Sequence, residues 1–374
     1  MSTNKLQVVL NLNRKIDYMN KTTKKIYLPI CKPPISFDAG DAYQLSIIIG
    51  NNGRLDWYYE SYIQLCGVRW ITQEIEQNNN IVMLYYNYPL LNDVSSYTNL
   101  IAENLYCPML DSYVIPHEVI SCENNISDFF CDLIAKGFYI FLTLDMHYIK
   151  AYNYTKHANH APMIYGYDKD NRTFSIMDFF TKIDTRVCSF EEIENAYNSS
   201  LKLYSWIKGI NAIKYKDIEY KFSIERFKMQ IREYLNPHLF YEHSNIFYNE
   251  NRCRFYWGIN TYDIFITMID NLLNQDTSMK TLPVKNMHLL YDHKVSMLSK
   301  IEYLHENGYI KDEMSWELIK KTYNGIIEKV LVTRNRMIKY HINSTQRDLQ
   351  KTIQDINQIK SNEISVLEKL LYII

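Results

Sequence analysis

The sequence predicts an α+β protein. Strands and helices are mixed over residues 1–205, and a mainly α-helical part over 206–374 ends in a long helical hairpin. Two patterns predict this. In the first part, short apolar runs rich in aromatic and β-branched residues alternate with turn residues, as strands do. From about residue 205 the apolar residues recur at three- and four-residue steps, the spacing of amphipathic helices. A chain of 374 residues has room for two domains of ~150 residues, and a hydrophobic fraction of 47% supplies their cores.

The elements follow in order. VVLNL near the start and KKIYLPI (24–30) read as strands, the second stopped by Pro33-Pro34. Asp41 opens a helix that Gly50 and Gly53 close, and Asp56 precedes an aromatic helix, WYYESYIQL. GFYIFLTLDMHYI (137–149) reads as one long strand. HAPMIYGY (160–167) and RTFSIMDFF (172–180) flank the polar turn Asp168-Lys-Asp-Asn171, which makes a β-hairpin in a register that sets His160 opposite Asp178. Ser189-Phe-Glu-Glu192 has the form of a capping box and opens the next helix. SIERFKMQIREYL, TYDIFITMIDNLL and LYDHKVSMLSKIEYLHENG are helical in spacing, the last closed by Gly308. In the terminal hairpin, Trp316, Ile319, Tyr323, Ile326, Val330 and Met337 form one row. Leu349, Ile353, Ile356, Leu367, Leu370 and Ile374 form the other, with Asn343-Ser344 as the joint. Such a seam packs on itself or on the body, or forms a homodimer interface.

Composition narrows the function. There are 41 basic and 42 acidic residues, so no basic excess points to nucleic acid or to a membrane surface. The cysteines, Cys31, Cys66, Cys107, Cys122, Cys131, Cys188 and Cys253, are odd in number and contain no CxxC pair. Neither a disulfide framework nor a zinc ribbon is expected, and no cofactor is implied. MSTNKLQVVLNLNRK lacks the apolar segment of a signal peptide, which gives a reduced, cytoplasmic protein as the expectation.

Nucleophilic acyl transfer needs a nucleophile at a helix start, a histidine base and a third group to orient that base. The helix start matters because its free N–H groups and dipole favour negative charge. In papain-like proteins the chain order is helix, then histidine on a strand, then Asn or Asp on the next strand. Here the order is Asp41, His160, Asp178. The plain alternatives are a helix cap for Asp41 and a structural histidine for His160. Cys31, ten residues before Asp41, is a displaced nucleophile candidate, whereas Cys66 reads as a small buried residue. Asp292-His293-Lys294 forms a second polar cluster, read either as a second site or an edge of the acyl pocket, or as an interdomain hydrogen-bonding knot. His157 with His160, and His288 with His293, lack a third ligand at metal-binding spacing.

Four segments carry a resemblance. They are Leu28-Pro-Ile-Cys-Lys-Pro-Pro with the helix from Asp41 to Gly50; Asn159-His160-Ala-Pro-Met-Ile-Tyr-Gly-Tyr-Asp168 with Met177-Asp178; Trp257-Gly-Ile-Asn-Thr-Tyr262; and Tyr291-Asp-His-Lys294 with Met297 and Tyr303-Leu304. In that order, and with the terminal hairpin, the chain resembles the family of the butirosin biosynthesis protein H N-terminal domain. It is most similar to the longer members found beside nonribosomal peptide and other thiotemplated assembly lines. The resemblance implies a papain-like cysteine-peptidase fold, similar to the peptidase domains of bacteriocin exporters. It also implies acyl transfer from a phosphopantetheine thioester on an acyl- or peptidyl-carrier protein to an amine, with amide formation. His160 would be the general base and Asp178 its orienter.

At the family's nucleophile position this chain reads Asp41, or Gly40 if the alignment slips by one. A carboxylate there would give a mixed anhydride, and beside His160 it would raise that histidine's pKa. Two functions follow as expectations. One is an acyl-transfer or amide-forming enzyme acting on carrier-protein thioesters, in its weaker form without a covalent intermediate, His160 steadied by Asp178 deprotonating the amine. The other is a non-catalytic relative that docks a carrier protein. A general peptidase is a third reading.

Overall fold

The computed structural model describes residues 23–37, 39–53, 55–70, 82–86, 107–120, 125–180, 182–204, 207, 209–237, 253–274, 282–343 and 345–374. The strand expected over VVLNL, Cys122 and Ser344 lie outside them. The protein is α+β, with antiparallel sheets and helices gathered toward the C-terminus. It forms two compact units. One comprises Met1–Arg54 and Asp93–Glu219, the other Leu55–Asn92 and Tyr220–Ile374. The division is thus not one cut at 205/206, because Leu55–Asn92 crosses to the C-terminal unit. No helix among the described residues is long and apolar enough to cross a membrane.

Among its described residues the first unit has nine strands: β1 (Lys25–Tyr27), β2 (Leu110–Pro116), β3 (Phe138–Phe141), β4 (Leu144–Asp145), β5 (Asn159–His160), β6 (Met163–Asp168), β7 (Thr173–Phe179), β8 (Ile183–Ser189) and β9 (Gly209–Tyr215). Its main sheet runs β8-β7-β6-β3-β9-β2, with β1 also on β6, and every pairing is antiparallel. Helices α1 (Ala39–Asn52), α2 (His117–Ile120), α3 (Ile126–Ala135) and α4 (Phe190–Leu203) accompany it. Tyr43 and Ile47 of α1 pack with Tyr139, Phe141, Met163, Met177 and Ile213. Phe130 and Ile134 of α3 and Ile193 and Tyr197 of α4 pack with Ile140, Ile164, Phe174, Ile176 and Ile210. Tyr139/Phe141 and Ile140 alternate along β3, so the two clusters lie on opposite faces of the sheet. A sheet covered on both faces needs apolar residues at consecutive positions, which is why MIYGYD and FSIMDF do not alternate in polarity.

Two expected elements differ here. The hairpin forms, but its register is displaced by two residues: Met163 faces Met177, and a bulge follows between Ile164 and Gly166. His160 itself pairs with Leu144 in the separate β4–β5 ladder. A two-residue displacement keeps every side chain on its own face, because the strand period is two. The long strand expected over 137–149 breaks after Phe141 and again at Asp145, whose carboxylate accepts the His147 N–H at 3.1 Å and turns the chain into a 3₁₀ turn, Met146–Tyr148. The capping box is present as expected: Glu192 N–H donates to Ser189 Oγ at 3.1 Å, and Ser189 N–H to Glu192 Oε2 at 2.7 Å.

In the second unit, the aromatic helix covers only Asp56–Glu60. Tyr62, at φ 57°, lies in the left-handed region, and Leu65–Trp70 is instead the central strand between Val82–Tyr86 and Cys253–Trp257. The helices are α5 (Ile224–Leu235), α6 (Thr261–Leu273), α7 (Leu282–Glu306), α8 (Glu313–Asn343) and α9 (Gln346–Ile373). The expected seam of α8 is buried throughout. That of α9 is shifted: Ile353 and Ile374 are half-buried, while Thr352, Ile359 and Glu363 are buried with Leu349, Ile356, Leu367 and Leu370.

Gly258 explains the Trp257-Gly-Ile-Asn-Thr-Tyr262 segment in backbone terms. It sits at φ +51° where a strand turns into a helix, and a Cβ there would lie 2.2 Å from the Tyr234 carbonyl oxygen. Gly258→Ala should therefore destabilise the protein by about 1–3 kcal/mol or more, read as a lower urea midpoint at unchanged slope. An unaltered midpoint would refute this account of the turn.

Candidate active site

Three elements of the first unit meet at one carboxylate. β7 carries Asp178, fully buried, next to its last residue, while β5 ends at His160, and α1 supplies Tyr43. His160 Nδ1 donates to Asp178 Oδ2 at 2.6 Å. Tyr43 Oη donates to Asp178 Oδ1 at 2.8 Å and approaches the Ala161 carbonyl at 3.2 Å. Tyr152 Oη also donates to Asp178 Oδ2, and the Phe179 N–H to Oδ1 at 2.6 Å. The Tyr152 ring lies between those of His160 and Phe180, at 5.7 and 5.1 Å.

The chemistry follows from the donors. A carboxylate receiving four hydrogen bonds holds a fixed orientation, and so does the imidazole bound to it. Because Nδ1 is the donor, Nε2 is the nitrogen left for substrate, and the His160 side chain is 35% exposed. Burial works against the imidazolium, yet the Asp178 hydrogen bond and charge outweigh it and raise the His160 pKa. Burial, then the Asp178 charge, pushes Tyr152 well above an ordinary phenol, so it remains a donor.

Asp41 is not part of this arrangement. Ala39, Tyr43, Ser46 and Ile47 form the row of α1 that fronts the sheet, with Ser46 Oγ 3.4 Å from Met177 Sδ. Two residues before Tyr43 is about 200° around a helix, so Asp41 lies on the far side, buried and with a polar interaction of its own. The raised His160 pKa comes from Asp178, not from Asp41 as expected. Where a thiol or a carboxylate was expected beside the dyad, α1 presents the Tyr43 phenol.

Cys31 is exposed, and its N–H donates to the Ser46 carbonyl at 3.1 Å, about 7 Å along α1 from Asp41. It belongs to the middle of the helix rather than to its start. Cys66 is buried, on a strand rather than at a helix end. Burial pushes the thiols of Cys107, Cys131 and Cys188 up to about 12, far from thiolate chemistry.

His293 and Lys294 lie in a knot within the second unit, not between domains. Both are fully buried. Lys294 Nζ donates to Glu363 Oε1 at 2.6 Å, to His293 Nδ1 at 2.8 Å and to Tyr234 Oη at 3.1 Å. His293 Nε2 donates to the Ile63 carbonyl at 2.8 Å. His288 contacts Arg334 at 3.3 Å. His157 and His160 face different carboxylates, Asp145 and Asp178.

Sequence reasoning missed Tyr43 and Tyr152. Among 33 tyrosines neither stands out, and only the placement of Tyr43 one helical turn from the start of α1 could have singled it out. No family model matches the chain, and no curated protein is detectably similar to it.

Proposed function

We propose that the first unit is a papain-like acyl-transfer domain of thiotemplated biosynthesis that works without a cysteine nucleophile. The observation that carries this is the His160–Asp178 contact of 2.6 Å beside α1, in the chain order helix, histidine, aspartate. The resemblance to the butirosin biosynthesis protein H N-terminal domain family supplies the substrate class.

In this reading His160 Nε2 takes a proton from an incoming amine as the nitrogen attacks the thioester carbonyl of a carrier protein. The tetrahedral intermediate collapses with loss of the phosphopantetheine thiolate, which receives the proton from His160. One C–N bond forms and one C–S bond breaks, and no acyl-enzyme is needed. Tyr43 in place of a thiol favours a second reading, a non-catalytic protein that docks the same carrier.

The test is incubation with an acylated carrier protein and an amine, followed by mass spectrometry of product and protein. Amide formed by the wild type, lost in His160→Ala and without an acyl adduct on any cysteine, is the expected result. Equal rates in the two proteins would overturn the catalytic reading. Carrier binding without product would establish the docking role.

A further inference from the structure

A second carboxylate–histidine arrangement precedes His160, formed by Asp145 and His157, twelve residues apart. Asp145 is fully buried. Its Oδ2 accepts from His157 Nδ1 and from Ser199 Oγ, each at 2.7 Å. Its Oδ1 accepts from the N–H groups of His147 at 3.1 Å and Ala158 at 3.3 Å. The carboxylate thereby fastens both ends of the loop between β4 and β5.

Two exposed histidines project from this loop. His157 is oriented by Asp145, and His147 Nδ1 donates to the Thr155 carbonyl at 3.0 Å. Both acceptors are oxygens without a proton, so both Nδ1 atoms carry hydrogen and both Nε2 atoms are left as potential ligands. An imidazole held through Nδ1 by a carboxylate or a carbonyl is the outer-shell pattern of metal-ligating histidines. The two rings lie 4.5 Å apart, inclined at 40°. Two imidazoles bound through Nε2 to one ion at about 2.1 Å have centroids about 4.6 Å apart at right angles, as in six-coordinate geometry, and about 5.3 Å apart at the tetrahedral angle usual for zinc, so the observed separation fits the former.

We propose that His147 and His157 form a two-histidine site for a divalent transition ion of the zinc class. Imidazole nitrogen suits Zn²⁺, Ni²⁺ and Cu²⁺ and not Mg²⁺ or Ca²⁺. Among the described residues no group of three or more His, Cys, Asp or Glu converges on a metal position, so water completes the coordination and an exchangeable position is left open. The ion would cross-link the two ends of the loop that carries Tyr152, and so would stiffen the donor to Asp178. The site does not depend on the acyl-transfer reading.

The test is calorimetric titration of ZnCl₂ into the full chain, prepared without a histidine tag. His147→Asn and His157→Asn keep an amide donor near the place of Nδ1 but remove Nε2. One ion per chain in the wild type, with affinity reduced at least tenfold in each variant and unchanged in His341→Asn on α8, is the expected result. Circular dichroism shows that the variants are folded. Unchanged affinity in both loop variants, or an equal loss in His341→Asn, overturns the site.

Discussion

Glu363→Ala is expected to lower the unfolding free energy by about 3–5 kcal/mol, the cost of removing one partner of a buried ion pair. The Glu363 carboxylate accepts from Lys294 at 2.6 Å and Tyr323 at 2.8 Å through Oε1, and from Tyr262 at 2.6 Å and Tyr234 at 3.1 Å through Oε2. Truncation leaves one ammonium and three phenols without it, at a position with no solvent exposure. The measurement is the urea midpoint and slope. The double variant Glu363→Leu, Lys294→Met should recover most of the loss, because apolar replacement of both partners removes the desolvation cost along with the attraction. A double variant as weak as the single one would show that the phenols, not the ion pair, hold the knot.

The same knot sets an acid limit. Burial, then the Lys294 charge, holds His293 well below its ordinary value, so the folded state keeps it neutral. The unfolded chain binds a proton there below about 6.5. Its contribution to stability is therefore present above that value and is lost as pH falls through it toward the folded value. The urea midpoint should drop between pH 7.5 and 5.5, and less steeply in a folded His293 variant.

The second large effect concerns the dyad. Under the acyl-transfer reading, Asp178→Asn should reduce the amide-forming rate by about 10²–10⁴-fold, the range of a positioned general base. The amide would put an N–H where one of the present donors points, and would remove the charge that raises His160. The active base is unprotonated, so the wild-type rate should rise with pH through a value above the ordinary 6.5. In Asp178→Asn that rise should move to lower pH. Tyr43→Phe and Tyr152→Phe each remove one donor and should cost less. A rate profile whose midpoint stays fixed in Asp178→Asn would separate the carboxylate from the base.

The nearness of His160 and Asp178 was legible because both lie toward the open end of one hairpin, a local property. Its register was not. The bulge at Ile164/Gly166 and the departure of His160 into the β4 ladder depend on which strands lie alongside. Asp41 was misplaced for a related reason: the sequence identifies it as the first polar residue of a helix, but not which side of that helix meets the sheet. The aromatic helix was overextended past Glu60 because Leu65–Trp70 takes its strand conformation from partners at Val82–Tyr86 and Cys253–Trp257. Propensity cannot carry pairings that distant.

By itself, the amino-acid order determined the class, the helical C-terminal half, the capping box at Ser189 and the row from Trp316 to Met337, all of which rest on spacings within a few turns or one hairpin. Only the tertiary structure decided that Tyr43 and Tyr152 saturate Asp178, that Lys294 finds Glu363, and that His147 and His157 stand ring to ring. Those partners are joined by contact between elements, where burial makes an unpaired polar group costly and so selects which distant donors and acceptors meet.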